Sequence, residues 1–195
     1  MWSALEQATR DCHAAADEPW LALVTGLSVR AYRDHLAAVY GFEAPLEAAF
    51  ALTPGLALVV DLRARARSSW LVQDLFELGM RPTKLARLPQ SQSILPFRDV
   101  IDALGWLYVV ERSTPLHQIL ATEVARELPN APLTFLSTRG FEMRKSAFEG
   151  AVERVTVDRA SRERIVDAAR EAFACQREWF EGPVRISSPS LVAIR

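Results

Sequence analysis

"SRERIVDAAREAFACQREWFEGP", residues 161–183, decides the fold class. Its apolar positions Ile165, Ala168, Ala169, Ala172, Phe173, Trp179 and Phe180, with Gln176 among them, recur at intervals of three and four, which lines one face of a helix. Gly182-Pro183 then stops it. Upstream, the same period returns from about Gly140 to Val155, and over a long run from Asp99 to about Leu128. "PGLALVVDLRARARSSWLVQDLFELG", residues 54–79, predicts a helix that Gly79 stops. A helix capped by Ser28 carries Tyr32, Leu36, Val39, Tyr40, Leu46 and Phe50 on one broad face, and Pro45, four residues after Gly41, predicts a kink there. The first helix is expected to start at Ser3 through a capping box with Glu6, to bury Leu5, Ala8, Cys12 and Ala16, and to end before Pro19. Residues 80–97, with Pro82, Pro89, Pro96 and a "QSQS" run, read as loop. "LALVV" at 56–60 is the one β-like patch, too short to outweigh the helices. The expected fold class is all-α, a bundle of about six helices.

Composition narrows the function classes. In 195 residues, half of them hydrophobic, there is enough chain for one domain with a sizeable core, expected over residues 1–182, with 183–195 as a polar tail. The 23 Lys+Arg and 24 Asp+Glu form no block of one sign, which argues against nucleic acid or an anionic membrane as a partner. The "RARAR" run at 63–67 reads as a solvated helix face, with alanines between the arginines and no aromatic platform. Neither a signal peptide nor a membrane-spanning run is legible, so a cytoplasmic protein is expected. Cys12 and Cys175 have no metal or redox spacing and read as buried free thiols.

Most familiar catalytic patterns are missing from the sequence. The residues three before His13, His35 and His117 are Arg10, Tyr32 and Thr114, so no Glu-x-x-His pair supports a di-metal bundle. No Gly-x-Ser-x-Gly elbow, P-loop or dinucleotide fingerprint occurs. What remains is His13, at the edge of the first apolar stripe, and the stretch "VVERSTPLHQIL" at 109–120. A neutral imidazole on a helix face can serve as an axial ligand to haem iron or as a hydrogen-bonded structural residue.

Four stretches in order, "LEQATRDCHAAAD" (5–17), "YRDHLAAVYGFEAPLEAAF" (32–50), "QDLFELG" (73–79) and "ALGWLYVVERST" (103–114), resemble the bacterial haem oxygenase family, in particular its phytochrome-associated type. The resemblance runs over roughly residues 3–180 and implies an all-α bundle that holds haem between a proximal and a distal helix. It implies His13 as the iron ligand. The distal motif departs from the family's Glu-Gly-Ser-Thr-Leu-Gly-Gly, reading Glu111-Arg112-Ser113-Thr114-Pro115-Leu116-His117, with all three glycines replaced. Arg112 and Leu116 are four apart and share a helix face, so both are expected to project where glycine leaves room for the macrocycle and its bound oxygen. Pro115 is expected to keep the bend. His117 reads either as a surface residue or as a second axial ligand, and Ser113 completes the distal candidates. Arg10, Arg139, Arg144 and Lys145 are candidate cations for haem carboxylates, and Tyr40, Tyr108 and Phe148 candidate lining for an apolar cavity.

Three functions follow from the resemblance. The first is a haem or bilin binding relative, a pseudoenzyme with impaired or lost turnover, for which the resemblance implies a phytochrome-type partner, and the replaced glycines favour it. The second is an active enzyme that cleaves haem, its cofactor and substrate, to biliverdin, iron and carbon monoxide with oxygen and an external electron donor. The third is a bundle that binds no haem and serves as an interaction partner.

Overall fold

The computed structural model describes residues 1–182. In chain order its helices are α1 (Trp2–Ala8), α2 (Arg10–Thr25), α3 (Val29–Leu52), α4 (Ser68–Glu77), α5 (Pro82–Leu85), α6 (Val100–Arg112), α7 (Thr114–Glu127), α8 (Phe141–Val155) and α9 (Arg159–Glu181), with 3-10 turns at Leu56–Leu58 and Arg63–Arg65. The described residues contain no strand, so the architecture is all-α. The expected tail at 183–195 lies outside the described residues.

α9 forms where the period put it, two residues earlier than Ser161. Asp158 caps it by accepting from the Ser161 amide at 2.8 Å, and Ser161 Oγ accepts in return from the Asp158 amide. Its apolar face buries Ile165, Ala168, Ala169, Ala172 and Phe173, chiefly against α6. The two backbones come close because Gly105 of α6 has no side chain: a Cβ there would lie 2.6 Å from the Ala168 Cβ and 2.7 Å from the Ile165 carbonyl oxygen. This crossing anchors one core, which also takes in Trp2, Leu46, Tyr108 and Phe148. A second core gathers Trp20, Leu36, Leu71, Val124 and Phe135 between α2, α3, α4 and α7.

Several local expectations are corrected. The first helix is two, broken at Thr9 (φ −117°, ψ 12°); Met1 caps it without a side-chain bond, and Ser3 lies inside it, not at its cap. α2 then runs through Pro19 to Thr25. The long 99–128 run is also two helices: α6 ends at Arg112, and Pro115 falls in the first turn of α7, where a missing amide costs nothing. Residues 54–67 form turns, not helix, because Arg65 and Arg67 point inward, against the expectation of a solvated face. Arg65 donates to Glu111 at 2.5 Å, and Arg67 donates to both carboxylate oxygens of Glu43 at 2.6 and 3.2 Å. Cys12 and Cys175 are free and only half-buried.

Pro45 sits within a continuous α3. It has no amide to give the carbonyl four residues back, that of Gly41, and the Ser91 amide donates there instead at 2.8 Å, fixing the 80–97 loop to the helix. Trp179 of α9 closes over the same glycine and donates from Nε1 to the Ala38 carbonyl at 2.9 Å.

Candidate functional site

His13, Asp17 and Trp20 are spaced i, i+4 and i+7 on α2, so they share a face. That face meets the end of α6 and the start of α7, and each of the three touches one distal residue. His13 lies 3.5 Å from the Tyr108 hydroxyl. Both carboxylate oxygens of Asp17 accept from Arg112, at 2.9 and 2.6 Å, in a bidentate pair that is mostly shielded from water. Trp20 packs against His117 with ring centroids 4.4 Å apart. The α2 face and the distal segment are therefore stitched together along their length.

The chemistry at His13 follows from counting protons. Thr9 Oγ has one proton and donates it to the Leu5 carbonyl at 2.7 Å, so at His13 Nε2, 3.1 Å away, the threonine oxygen can only accept. With the threonine as acceptor, the Nε2–H tautomer of His13 completes the contact. The Tyr108 hydroxyl lies 3.5 Å from the same oxygen and 3.5 Å from His13 Nε2. Burial, followed by the positive charge of Arg112, holds the His13 imidazole below its ordinary pKa and neutral. Phe173 covers the ring at 5.6 Å and also lies beneath the Arg112 guanidinium at 5.8 Å.

His117 is 1% exposed, and neither ring nitrogen has a hydrogen-bond partner among the described residues. It lies between Trp20 and Phe135, whose ring is 5.0 Å away, and burial holds its pKa well below the ordinary value, with Arg67 and His35 acting the same way. The expectation of a surface position is corrected. Trp20, its ring partner, is seven residues beyond His13, roughly 10 Å along the helix, so the two imidazoles stand at different levels of α2. His35, on the other side of Trp20 at 4.2 Å, is likewise held down by burial, to about 4.

The remaining candidates take other roles. Ser113 donates to the Val110 carbonyl at 2.7 Å, and Leu116 packs half-buried against the second core. Arg144 is no rim cation: it is buried, donating to Glu111 at 2.9 Å and to the Arg139 carbonyl at 2.5 Å. Lys145 sits over the Trp2 ring at 5.4 Å, while Arg10 and Arg139 are exposed. Tyr108 and Phe148 are core residues around Trp2, and Tyr40 is half-buried.

These residues do not fit a haem in this arrangement. Thr9 Oγ and the Tyr108 hydroxyl both stand against His13 Nε2, and a charged pair spans the gap four residues further on. The cavity beside Leu46 and Leu107 and the one beside Ala16 and Phe180 are lined by residues other than His13, Arg112 and His117. Sequence reasoning missed Thr9, Asp17 and Trp20. The available signal was their spacing, since Thr9, Asp17 and Trp20 each fall on the His13 face at helical intervals.

A family model described as heme oxygenase matches residues 1–182. No curated protein matches the chain.

Proposed function

The chain belongs to the heme oxygenase family, and from that premise we propose that it is a relative of the phytochrome-associated type in which turnover is lost because its own side chains close the cleft. The observation that carries this reading is the Asp17–Arg112 bridge, formed by the residue that stands where the family motif has its first glycine. The Thr9–His13 contact supports it, because a tetrapyrrole iron would have to displace Thr9 to reach Nε2. Tetrapyrrole binding on this reading requires the bridge to open first. No electron donor is needed, since no turnover occurs, and the type assignment rests on the "YRDHLAAVYGFEAPLEAAF" stretch.

Haemin titration followed in the Soret region, with oxygen and a competent reductase added afterwards, tests the proposal. The unmodified protein is expected to give no histidine-ligated band and no biliverdin. Combined Arg112→Gly, Leu116→Gly and His117→Gly substitution is expected to produce the band, and adding His13→Ala to remove it again. Biliverdin formation by the unmodified chain overturns the reading.

A further inference from the structure

On the side of α6 away from the closed cleft lies a cavity of about 250 Å³, between α3, α6 and the 62–66 segment. Its wall is apolar: Leu46 and Phe50 from α3, Leu107 and Val110 from α6, and Leu62 across from them. The polar groups that reach it are already spent. Glu43 is held by Arg67, Glu47 accepts from the Arg67 and Ser68 amides at 2.5 and 2.8 Å, and Arg65 donates to Glu111 and to the Arg144 carbonyl. Nothing inside therefore asks for a polar ligand atom, and the interior suits hydrocarbon.

The mouth differs from the interior. Arg63 lines it and is exposed, and among the described residues its guanidinium makes no hydrogen bond or ion pair. Asp61 fixes the backbone of the turn that carries it, accepting from the Arg63 and Ala64 amides at 2.9 and 3.1 Å. An apolar chamber with a guanidinium beside it that is unpaired among the described residues has the form of a site for an amphipathic anion. An apolar cavity of about 150 Å³ takes up benzene, so this one has room for a longer aliphatic tail or a larger ring.

We propose that this cavity binds a small carboxylate with an apolar tail, of the medium-chain fatty acid class, with the tail among Leu46, Phe50 and Leu107 and the carboxylate paired to Arg63. The site is separate from the closed cleft, and the proposal stands whether or not the chain turns haem over.

Calorimetric titration with hexanoate, octanoate and octanol, the last a neutral molecule of equal tail length, tests it. Octanoate is expected to bind more tightly than hexanoate by roughly fourfold per methylene. Arg63→Gln is expected to weaken octanoate at least tenfold and leave octanol unchanged, which distinguishes a charge contact from a loss of structure. Ala66→Phe, which puts a ring into the chamber, is expected to abolish binding of both. Because that variant also risks misfolding, methyl chemical-shift changes at Leu46, Leu107 and Val110 on adding octanoate to the unmodified protein are the second readout. The proposal is overturned if octanoate does not bind, if those methyls do not respond, or if Arg63→Gln affects octanol and octanoate equally.

Discussion

His117 holds an imidazole where a charge has no partner. Its neighbours are Trp20, Phe135, His35 and, through space, Arg67, so protonating it would place one positive charge among apolar rings and near another. Its folded-state pKa lies below the unfolded value, and that of His35 is about 4. A base depressed in this way is protonated first in the unfolded chain. The stability that it contributes is present above about pH 6.5 and declines as pH falls toward the folded value, by roughly 1.4 kcal/mol per unit per group. Glu43 works in the opposite direction, because burial, against the pull of Arg67, raises it to about 7, so its contribution is lost as pH rises toward that value. A difference measurement separates the two. Between pH 7 and pH 5 the melting temperature of the unmodified protein is expected to fall relative to that of His117→Leu; a constant gap between the two curves would mean that the imidazole reaches water.

The α6–α9 crossing makes a prediction opposite to helix propensity. Alanine is favoured over glycine inside a helix by about 1 kcal/mol, yet Gly105→Ala is expected to destabilise by about 1–3 kcal/mol, since the new methyl meets the Ile165 carbonyl and the Ala169 amide, which cannot move independently of α9. Gly150 of α8 supplies the control. The nearest atom to a Cβ there is the end of the flexible Arg154 side chain at 3.6 Å, so Gly150→Ala is expected to stabilise by about 1 kcal/mol. Urea denaturation of the pair checks both signs. Elements of this kind were the legible part of the sequence: α9 and α3 carry their apolar faces in a regular period, and α6 and α7 needed only the break at Ser113 to be found. Residues 54–67 were not legible, because the burial of Arg65 and Arg67 depends on carboxylates contributed by Glu111 and Glu43 from distant segments. The candidate site divides in the same way. His13 and Arg112 stood out by spacing, whereas the partners that decide their chemistry, Thr9 and Asp17, are defined only once the break at Thr9 turns α2 against the distal segment.

For the molecule as a whole, the proposed closure of the cleft implies a fold that needs no tetrapyrrole to complete it. A ligand that binds the native state raises its melting temperature by mass action, so equimolar haemin is expected to leave the thermal transition of the unmodified protein where it is and to raise that of the variant with glycines at 112, 116 and 117. A clear rise in the unmodified protein would place the macrocycle in an already open site. The three contacts from α2 to α6 and α7 lie on one rigid helix face, so none can part far while the others hold. They act as a single conformational equilibrium. If together they favour closure by about 3 kcal/mol, roughly one molecule in 150 is open at any moment, and every visitor to the cleft binds that many times more weakly than it would to a permanently open relative.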